Sequence, residues 1–269
     1  MKTKLQTFTL VVILLMAVPA FGSITAGNDR PLATLPNGTT DVLPALPPGT
    51  PAPASANLQD ILNYVYGCND CVDAEDDQKA ASMWKPSTLP GLISPQLTIE
   101  LSNSLTGIEF GMWTGNSLSS LIMAPIFTPA AEGITGDFPA SATLKWNGAG
   151  TTVKVTGDAS EVVNGTYGIA VGSFGFYIKS DGYTWYSDDE LNSGGAPQML
   201  AYLGNNSATS AGAWTMAFED DPFATADKDF NDFVVKIESL AAVPEPASIF
   251  LVGTALLGVA SIMRRRIVR

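Results

Sequence analysis

The chain has 269 residues, of which 46% are hydrophobic and 15% are charged, and its formal net charge is −12. It contains no histidine and only two cysteines, which excludes Ser-His-Asp triads, Cys-His dyads, HExxH zinc sites and zinc sites built on about four thiolates. Nucleic-acid binding is also disfavoured, because an acidic surface repels phosphates.

The first 22 residues have the organisation of a secretory signal peptide. Lys2 and Lys4 form a basic start, an apolar run covers residues 8–18, and small residues follow it. The apolar run is too short to cross about 30 Å of hydrocarbon. We therefore expect the chain to be exported and residues 1–22 to be removed.

A proline-rich segment and a short helix follow the signal peptide. Residues 23–57 are expected to form an extended linker, because proline at this density disfavours both strands and helices. Apolar residues at helical spacing then predict a short helix over residues 57–66. This helix opens a small unit, residues 58–93, that precedes the main domain.

The only two cysteines, Cys68 and Cys71, lie in this small unit. A redox-active Cys-x-x-Cys pair needs a lowered thiolate pKa, which the five acidic residues between positions 70 and 77 would oppose. In an exported protein the pattern favours a short structural disulfide, with redox activity as the alternative.

Residues 94–239 are predicted to form a mostly β domain. Short runs of β-branched and aromatic residues alternate with turn residues, and Trp214, Met216 and Phe218 share one face of their strand. This alternation favours an antiparallel sandwich of jelly-roll type whose sheets bury one face. The predicted strands cover residues 97–101, 107–113, 121–127, 143–146, 152–156, 168–171, 174–179, 183–187, 199–203, 214–219 and 233–238.

Three aromatic residues, Tyr183, Trp185 and Tyr186, lie next to a group of acidic residues. Exposed aromatic rings stack on sugar faces, so the group suggests a glycan-binding surface. The alternative is that these residues belong to the core, as large aromatic side chains in strands commonly do.

The segment between the last two predicted strands, residues 219–232, contains six acidic residues and one lysine. Such a concentration of negative charge is costly unless a cation neutralises it, and closely spaced oxygen side chains suit Ca²⁺. An EF-hand is rejected, because the glycine position is occupied by Asp232 and Glu238 lies in a predicted strand. The alternative to a calcium site is an acidic turn whose side chains bond their own backbone. The candidate ligands are Asp220, Asp227, Asp229, Asn231 and Asp232.

The C-terminal residues 243–269 combine three features in a fixed order. A Pro-Glu-Pro sequence is followed by 17 uncharged, mostly apolar residues, 247–263, and then by three arginines. The apolar segment predicts a transmembrane helix of about 26 Å, and the arginines would keep the C-terminus in the cytoplasm. The motif residues are Pro244, Glu245, Pro246, Arg264, Arg265 and Arg266.

This order of features resembles the PEP-CTERM sorting signal of Gram-negative bacteria. The resemblance implies recognition by exosortase, a membrane-embedded cysteine protease-transpeptidase that cuts near the Pro-Glu-Pro motif and removes the helix. It also implies a precursor anchored in the inner membrane, which later reaches the cell surface or the extracellular matrix and associates with exopolysaccharide or biofilm.

Residues 174–239 resemble an uncharacterised extracellular domain that is often found upstream of PEP-CTERM tails. The ending from Asp227 to Asp232, Asp-x-Asp-Phe-Asn-Asp, carries most of this resemblance. Relatives often have Asp-His where this chain has Pro197-Gln198. The family has no agreed activity, so the resemblance implies a domain and no particular reaction.

These features favour a non-enzymatic surface or matrix protein. A calcium-assisted glycan-binding module is the first alternative. A glycosidase is the second, but it needs two carboxylates about 5 Å or about 6.5–9.5 Å apart in a cleft, and 26 acidic residues do not single out a pair.

Overall fold

Antiparallel β-sheet accounts for most of the regular structure in the described part of the chain. The computed structural model describes residues 57–68, 71–88, 92–100, 107–128, 140–204 and 212–243. The predicted signal peptide, the linker up to residue 56, the Pro-Glu-Pro and arginine motif and the predicted transmembrane helix lie outside these ranges. Within them, no helix is long and apolar enough to cross a membrane.

One α-helix and thirteen strands occur in these ranges, together with three single turns of 3₁₀-helix. The helices are α1 (Leu58–Tyr66) and the 3₁₀ turns Leu118–Ser120, Asp189–Leu191 and Ser193–Gly195. The strands are β1 (Trp84–Pro86), β2 (Leu92–Glu100), β3 (Glu109–Thr114), β4 (Ile122–Phe127), β5 (Thr143–Trp146), β6 (Val153–Thr156), β7 (Gly165–Tyr167), β8 (Gly175–Ser180), β9 (Tyr183–Tyr186), β10 (Met199–Leu203), β11 (Trp214–Phe218), β12 (Phe233–Glu238) and β13 (Leu240–Ala242).

The strands form two larger sheets and one small one. Seven strands pair in the order β10–β11–β12–β2–β5–β6–β7, four pair in the order β4–β3–β8–β9, and β1 pairs with β13. All of these pairings are antiparallel. Buried side chains from the two larger sheets join in one cluster, the main core.

Phe110 lies among four other phenylalanines of the main core. Its ring centroid is 5.5 Å from that of Phe176 in the same sheet and 5.4 Å from that of Phe233 in the seven-stranded sheet. The rings of Phe218 and Phe127 lie at 6.1 and 6.2 Å. These contacts connect the two larger sheets at the end of the β11–β12 hairpin.

The helix α1 has a cap at each end. The Asn57 side chain accepts a hydrogen bond from the Asp60 N–H at 2.8 Å, and Gly67 ends the helix at φ +66°. A glycine suits this position because a left-handed backbone costs it little. Just beyond the helix, Cys68 and Cys71 are joined by a disulfide, with their Cα atoms 5.9 Å apart.

The apolar face of α1 packs against the seven-stranded sheet, on the face opposite the main core. We call α1 together with residues 71–78 the N-terminal cap. The cap and the sheet share a second buried cluster, and the Tyr202 hydroxyl donates to the Ala74 carbonyl at 2.7 Å. The second cluster contains Leu58, Ile61, Leu62, Tyr66, Val72, Ala74, Leu200, Tyr202, Ala217, Phe230 and Val234.

This packing corrects the expectation of sheets that bury one face. In β11, Met216 belongs to the main core while Ala217 belongs to the second cluster, and in β12 the neighbours Val235 and Val234 divide in the same way. The strands alternate between two buried faces because the N-terminal cap covers the face that was expected to meet water.

Two of the predicted strands need correction, and two observed strands were not predicted. The strand expected over residues 168–171 lies earlier, at β7. Residue Ile169 is instead in a loop, because its side chain is buried in the main core and its carbonyl accepts a hydrogen bond from the Trp146 indole at 3.0 Å. The strand expected over residues 97–101 begins earlier, at Leu92, because Pro95 pairs opposite Ile237 without breaking the strand. The strands β1 and β13 were not expected.

Candidate metal centre

The acidic loop, residues 219–232, connects two paired strands. Phe218 at the end of β11 pairs with Phe233 at the start of β12, so the loop leaves and re-enters the sheet at one point. Its two ends are also joined directly, because the Asp220 N–H donates to Oδ2 of Asp232 at 3.1 Å. The fold therefore brings residues that are twelve positions apart in sequence into contact.

The loop places five carboxylates in two overlapping groups. The inner group is Glu219, Asp220 and Asp232, and the outer group is Glu219, Asp227 and Asp229. Within each group, one carboxylate oxygen from each residue lies within 4.8 Å of the others. Four of the five residues are between 1% and 7% exposed, and Asp227 is exposed. Glu219 belongs to both groups and is the point where they meet.

Hydrogen bonds from the four-stranded sheet hold the inner group in place. The Ser180 hydroxyl donates to Oδ2 of Asp220 at 3.1 Å, and the Trp185 indole donates to the Asp220 carbonyl at 2.6 Å. From β10's side, the Gln198 amide donates to the backbone carbonyls of Glu219 at 3.3 Å and Asp221 at 2.6 Å. Both larger sheets therefore fix the position of the first three residues of the loop.

The outer part of the loop has an unusual backbone. Lys228 and Phe230 adopt φ values of +64° and +53°, a region that is unfavourable for residues other than glycine. Asp229 lies between these two residues and Asn231 follows them. The backbone N–H of Asn231 donates to Oδ1 of Asp229 at 3.3 Å, and its side-chain amide donates to Oδ2 at 2.7 Å. Bonds of this kind are those of the acidic-turn alternative, so they do not distinguish it from a metal site.

Burial has a large effect on the protonation of the loop. It raises the pKa of Glu219 to about 7, and the charges of Asp227, Asp229 and Asp220 act in the same direction. Burial also raises the pKa of Asp232 well above its usual range, again with the help of neighbouring carboxylates. The charged forms are costly in this setting, so the centre favours a species that neutralises them, either a proton or a cation.

One oxygen of the centre has no hydrogen-bond partner in the described part of the chain. It is Oε2 of Glu219, which is buried and belongs to the side chain that both groups share. The side-chain oxygen of Gln198, a residue that contacts the same backbone, is also buried without a partner there. A buried oxygen without a donor is costly, and a bound cation would remove that cost.

The structure brings together four of the five candidate ligands, Asp220 and Asp232 in the inner group and Asp227 and Asp229 in the outer group. The fifth, Asn231, is buried and bonded to Asp229. The candidate list did not include Glu219. Its position at the end of one strand, opposite the start of the next, was a signal that it could join the site.

The aromatic group does not form a three-ring surface. Tyr183 is 47% exposed and stacks on Trp185 with the ring centroids 5.4 Å apart, but Trp185 and Tyr186 are buried. Trp185 is held by its bond to the acidic loop, and Tyr186 packs edge-on against Trp113. Only one of the three rings is therefore available to a sugar.

Comparison with known proteins identifies the C-terminal segment. Residues 242–266 match the family model described as PEP-CTERM protein-sorting motif. No curated protein and no solved structure matches the chain significantly. The match begins within β13 and includes the Pro-Glu-Pro sequence and all three arginines of the predicted motif. The chain therefore carries a PEP-CTERM sorting motif, which implies export to the cell envelope or surface and processing by exosortase.

Proposed function

We propose that this protein is a non-enzymatic component of the extracellular matrix of a Gram-negative bacterium, associated with exopolysaccharide, and that its β domain binds Ca²⁺ at the acidic loop. The sorting motif supports the location. In this proposal the two larger sheets, which share the main core, form a sandwich of jelly-roll type.

The observation that carries the calcium proposal is the environment of Glu219. This carboxylate is buried, lies within 4.8 Å of two further carboxylates in each of two groups, and has an oxygen without a hydrogen-bond partner in the described residues. A simple acidic turn at the surface would leave its carboxylates in water. A buried cluster of this kind is stable at neutral pH when a cation neutralises it.

The chemistry of the residues favours Ca²⁺ over other cations. The centre offers carboxylate and amide oxygens, and the chain has no histidine. Softer metals prefer nitrogen and sulfur ligands, and Mg²⁺ requires a strict octahedron, whereas Ca²⁺ accepts six to eight oxygens in flexible geometry. Extracellular calcium modules need an affinity of only about 0.1–1 mM to be occupied.

The two groups suggest where the ion binds. Asp227 in the outer group is exposed, which gives a cation a route from solvent, whereas all three residues of the inner group are buried. We assign the ion to Glu219, Asp227 and Asp229, with Asn231 beside them. The buried inner group is also inaccessible to a sugar ring, which argues against a glycosidase that uses it.

Melting in calcium and in chelator tests the calcium proposal. At a Ca²⁺ concentration 100-fold above Kd, the free energy of unfolding is expected to rise by about 2.7 kcal/mol, because the ion binds the folded state. Asp229→Asn should remove most of this gain. Asp221→Asn is the matched control, because Asp221 is exposed, lies in the same loop and belongs to neither group. Equal melting temperatures in Ca²⁺ and in chelator, at fixed ionic strength, would support the acidic turn instead.

A separate experiment addresses the tail. In a host with exosortase, intact-mass analysis of the mature protein is expected to show loss of residues 247–269, and Glu245→Ala should leave the longer form in the membrane, anchored by the helix 247–263. Glu238→Ala is the matched control, since Glu238 is exposed and lies just upstream of the motif. An intact arginine-rich tail in mature wild-type protein from such a host would contradict processing at this site.

A further inference from the structure

Phe230 connects the acidic loop to the N-terminal cap. It lies between Asp229 of the outer group and Asn231, and its own side chain is fully buried in the second cluster with α1. No other residue of the loop segment 219–232 belongs to the buried part of that cluster, although Phe223 packs at its edge. A change in the loop would therefore reach the cap mainly through Phe230.

The loop backbone holds Phe230 in a conformation that needs support. Both Phe230 and Lys228 lie at positive φ, where a side chain crowds its own backbone. Such a conformation persists only where surrounding interactions maintain it. A cation bound to Glu219, Asp227 and Asp229 would tie the residues on both sides of Lys228 to the end of β11, and so maintain it.

Polar contacts with β10 join the cap to the sheet in addition to the second cluster. Besides the bond between Tyr202 and Ala74, Gln78 forms a β-bridge with Tyr202, and the Tyr66 hydroxyl donates to the Tyr202 carbonyl at 3.4 Å. A nine-residue helix is not stable in water on its own. Its order therefore depends on the apolar surface that it covers, which includes Phe230.

From this arrangement we infer that calcium binding at the acidic loop closes the N-terminal cap over the outer face of the seven-stranded sheet. This inference rests on the proposed calcium site and adds its regulation. Without the ion, the loop relaxes, Phe230 withdraws, and the cap opens over an apolar surface formed by Leu200, Tyr202, Ala217 and Val234. The domain is then fully closed only where calcium is abundant, as it is outside the cell.

Hydrogen exchange of the purified exported protein tests this inference, with millimolar Ca²⁺ or with chelator at equal ionic strength. The amides of α1 are expected to exchange at least about tenfold more slowly in Ca²⁺. The β5–β6 hairpin, at the other end of the seven-stranded sheet, provides the internal reference. Its amides should slow by a clearly smaller factor, because global stabilisation alone would slow both regions equally.

Two variants distinguish the effect of the bound ion from the effect of the Phe230 side chain. Asp229→Asn should abolish the effect on α1 by removing a ligand. Phe230→Ala keeps every ligand, so calorimetry should still detect Ca²⁺ binding. In this variant, Ca²⁺ should slow the amide exchange of α1 and of the reference hairpin by the same factor. Phe230→Leu should restore the larger slowing of α1. If Phe230→Ala does not fold, the comparison of wild type with Asp229→Asn still shows whether the selective protection of α1 depends on the bound ion.

Two results would overturn the inference, and they differ from failure of the calcium site itself. If Ca²⁺ binds but α1 and the β5–β6 hairpin slow by the same factor, the cap is not coupled to the ion. If α1 remains selectively protected by Ca²⁺ in Phe230→Ala, the coupling does not pass through Phe230. Absence of any binding by calorimetry would remove the proposed site and the closure together.

Discussion

Phe110→Ala is expected to lower the free energy of unfolding by about 3–5 kcal/mol, the typical cost of removing a buried phenylalanine ring. The cost should lie at the upper end of this range, because the Phe110 ring is fully buried and has ring centroids of four other phenylalanines between 5.4 and 6.2 Å away. The cavity would lie between the two larger sheets, where neither sheet can close it without moving the other.

Denaturant unfolding measures this effect, and two controls give it a scale. Phe110→Leu keeps an apolar side chain and should cost less than the alanine variant, while Leu118→Ala should change stability by less than about 0.5 kcal/mol because Leu118 is 60% exposed. A loss below about 1 kcal/mol in Phe110→Ala would show that the two sheets do not share the main core as described.

Glu219→Gln is expected to have opposite effects with and without calcium. In chelator at pH 7, it should raise the free energy of unfolding by up to about 3 kcal/mol, because it removes a buried charge whose pKa is raised from 4.5 to about 7. In Ca²⁺ it should instead lower stability relative to wild type, because it removes the carboxylate that both groups share. Melting of both proteins in both conditions measures the change of sign.

The matched control for this variant is Glu238→Gln, which makes the same chemical change at an exposed position on the neighbouring strand. It should behave like wild type in both conditions. If Glu219→Gln destabilises the protein equally in chelator and in Ca²⁺, then Glu219 has a structural role that does not depend on an ion.

The stability of the metal-free protein should also depend on pH in a direction set by Glu219. Because its pKa is raised on folding, the folded state binds more protons than the unfolded state between about pH 4.5 and about pH 7. In chelator, the free energy of unfolding is therefore highest below this pH window and falls as pH rises through it. Calcium should reverse the trend, since it binds the deprotonated carboxylates.

The fold could be predicted from sequence where residues determine their own local structure. The strand over Thr143–Trp146 and the strand over Met199–Leu203 have the predicted bounds, because each is a short run of strand-forming residues between turns. The strands β1 and β13 could not be found in this way. Each has only three residues, too few to establish a period, and each pairs with the other from the opposite end of the domain.

The candidate site shows the same limit. Asp227, Asp229 and Asn231 stand out in sequence because their spacing alone suggests a calcium loop. Glu219 stands out less, because it ends the predicted strand 214–219, one position after the face of Trp214, Met216 and Phe218. It is buried because the loop folds back over it, which depends on contacts with Ser180 and Trp185 of another sheet.

The pairing of the first and last strands has a consequence for the order of events during biosynthesis. Trp84 pairs with Ala242, and β2 pairs with β12, so the sheets join segments from opposite ends of the domain. Contacts between such distant segments form slowly, typically in milliseconds to seconds. Because the chain emerges from its N-terminus, the domain cannot complete its folding until residue 242 is present, and the Pro-Glu-Pro sequence follows two residues later. The last strand therefore ends at the residue where the match to the sorting motif begins, so the domain is completed just before the sorting segment is synthesised.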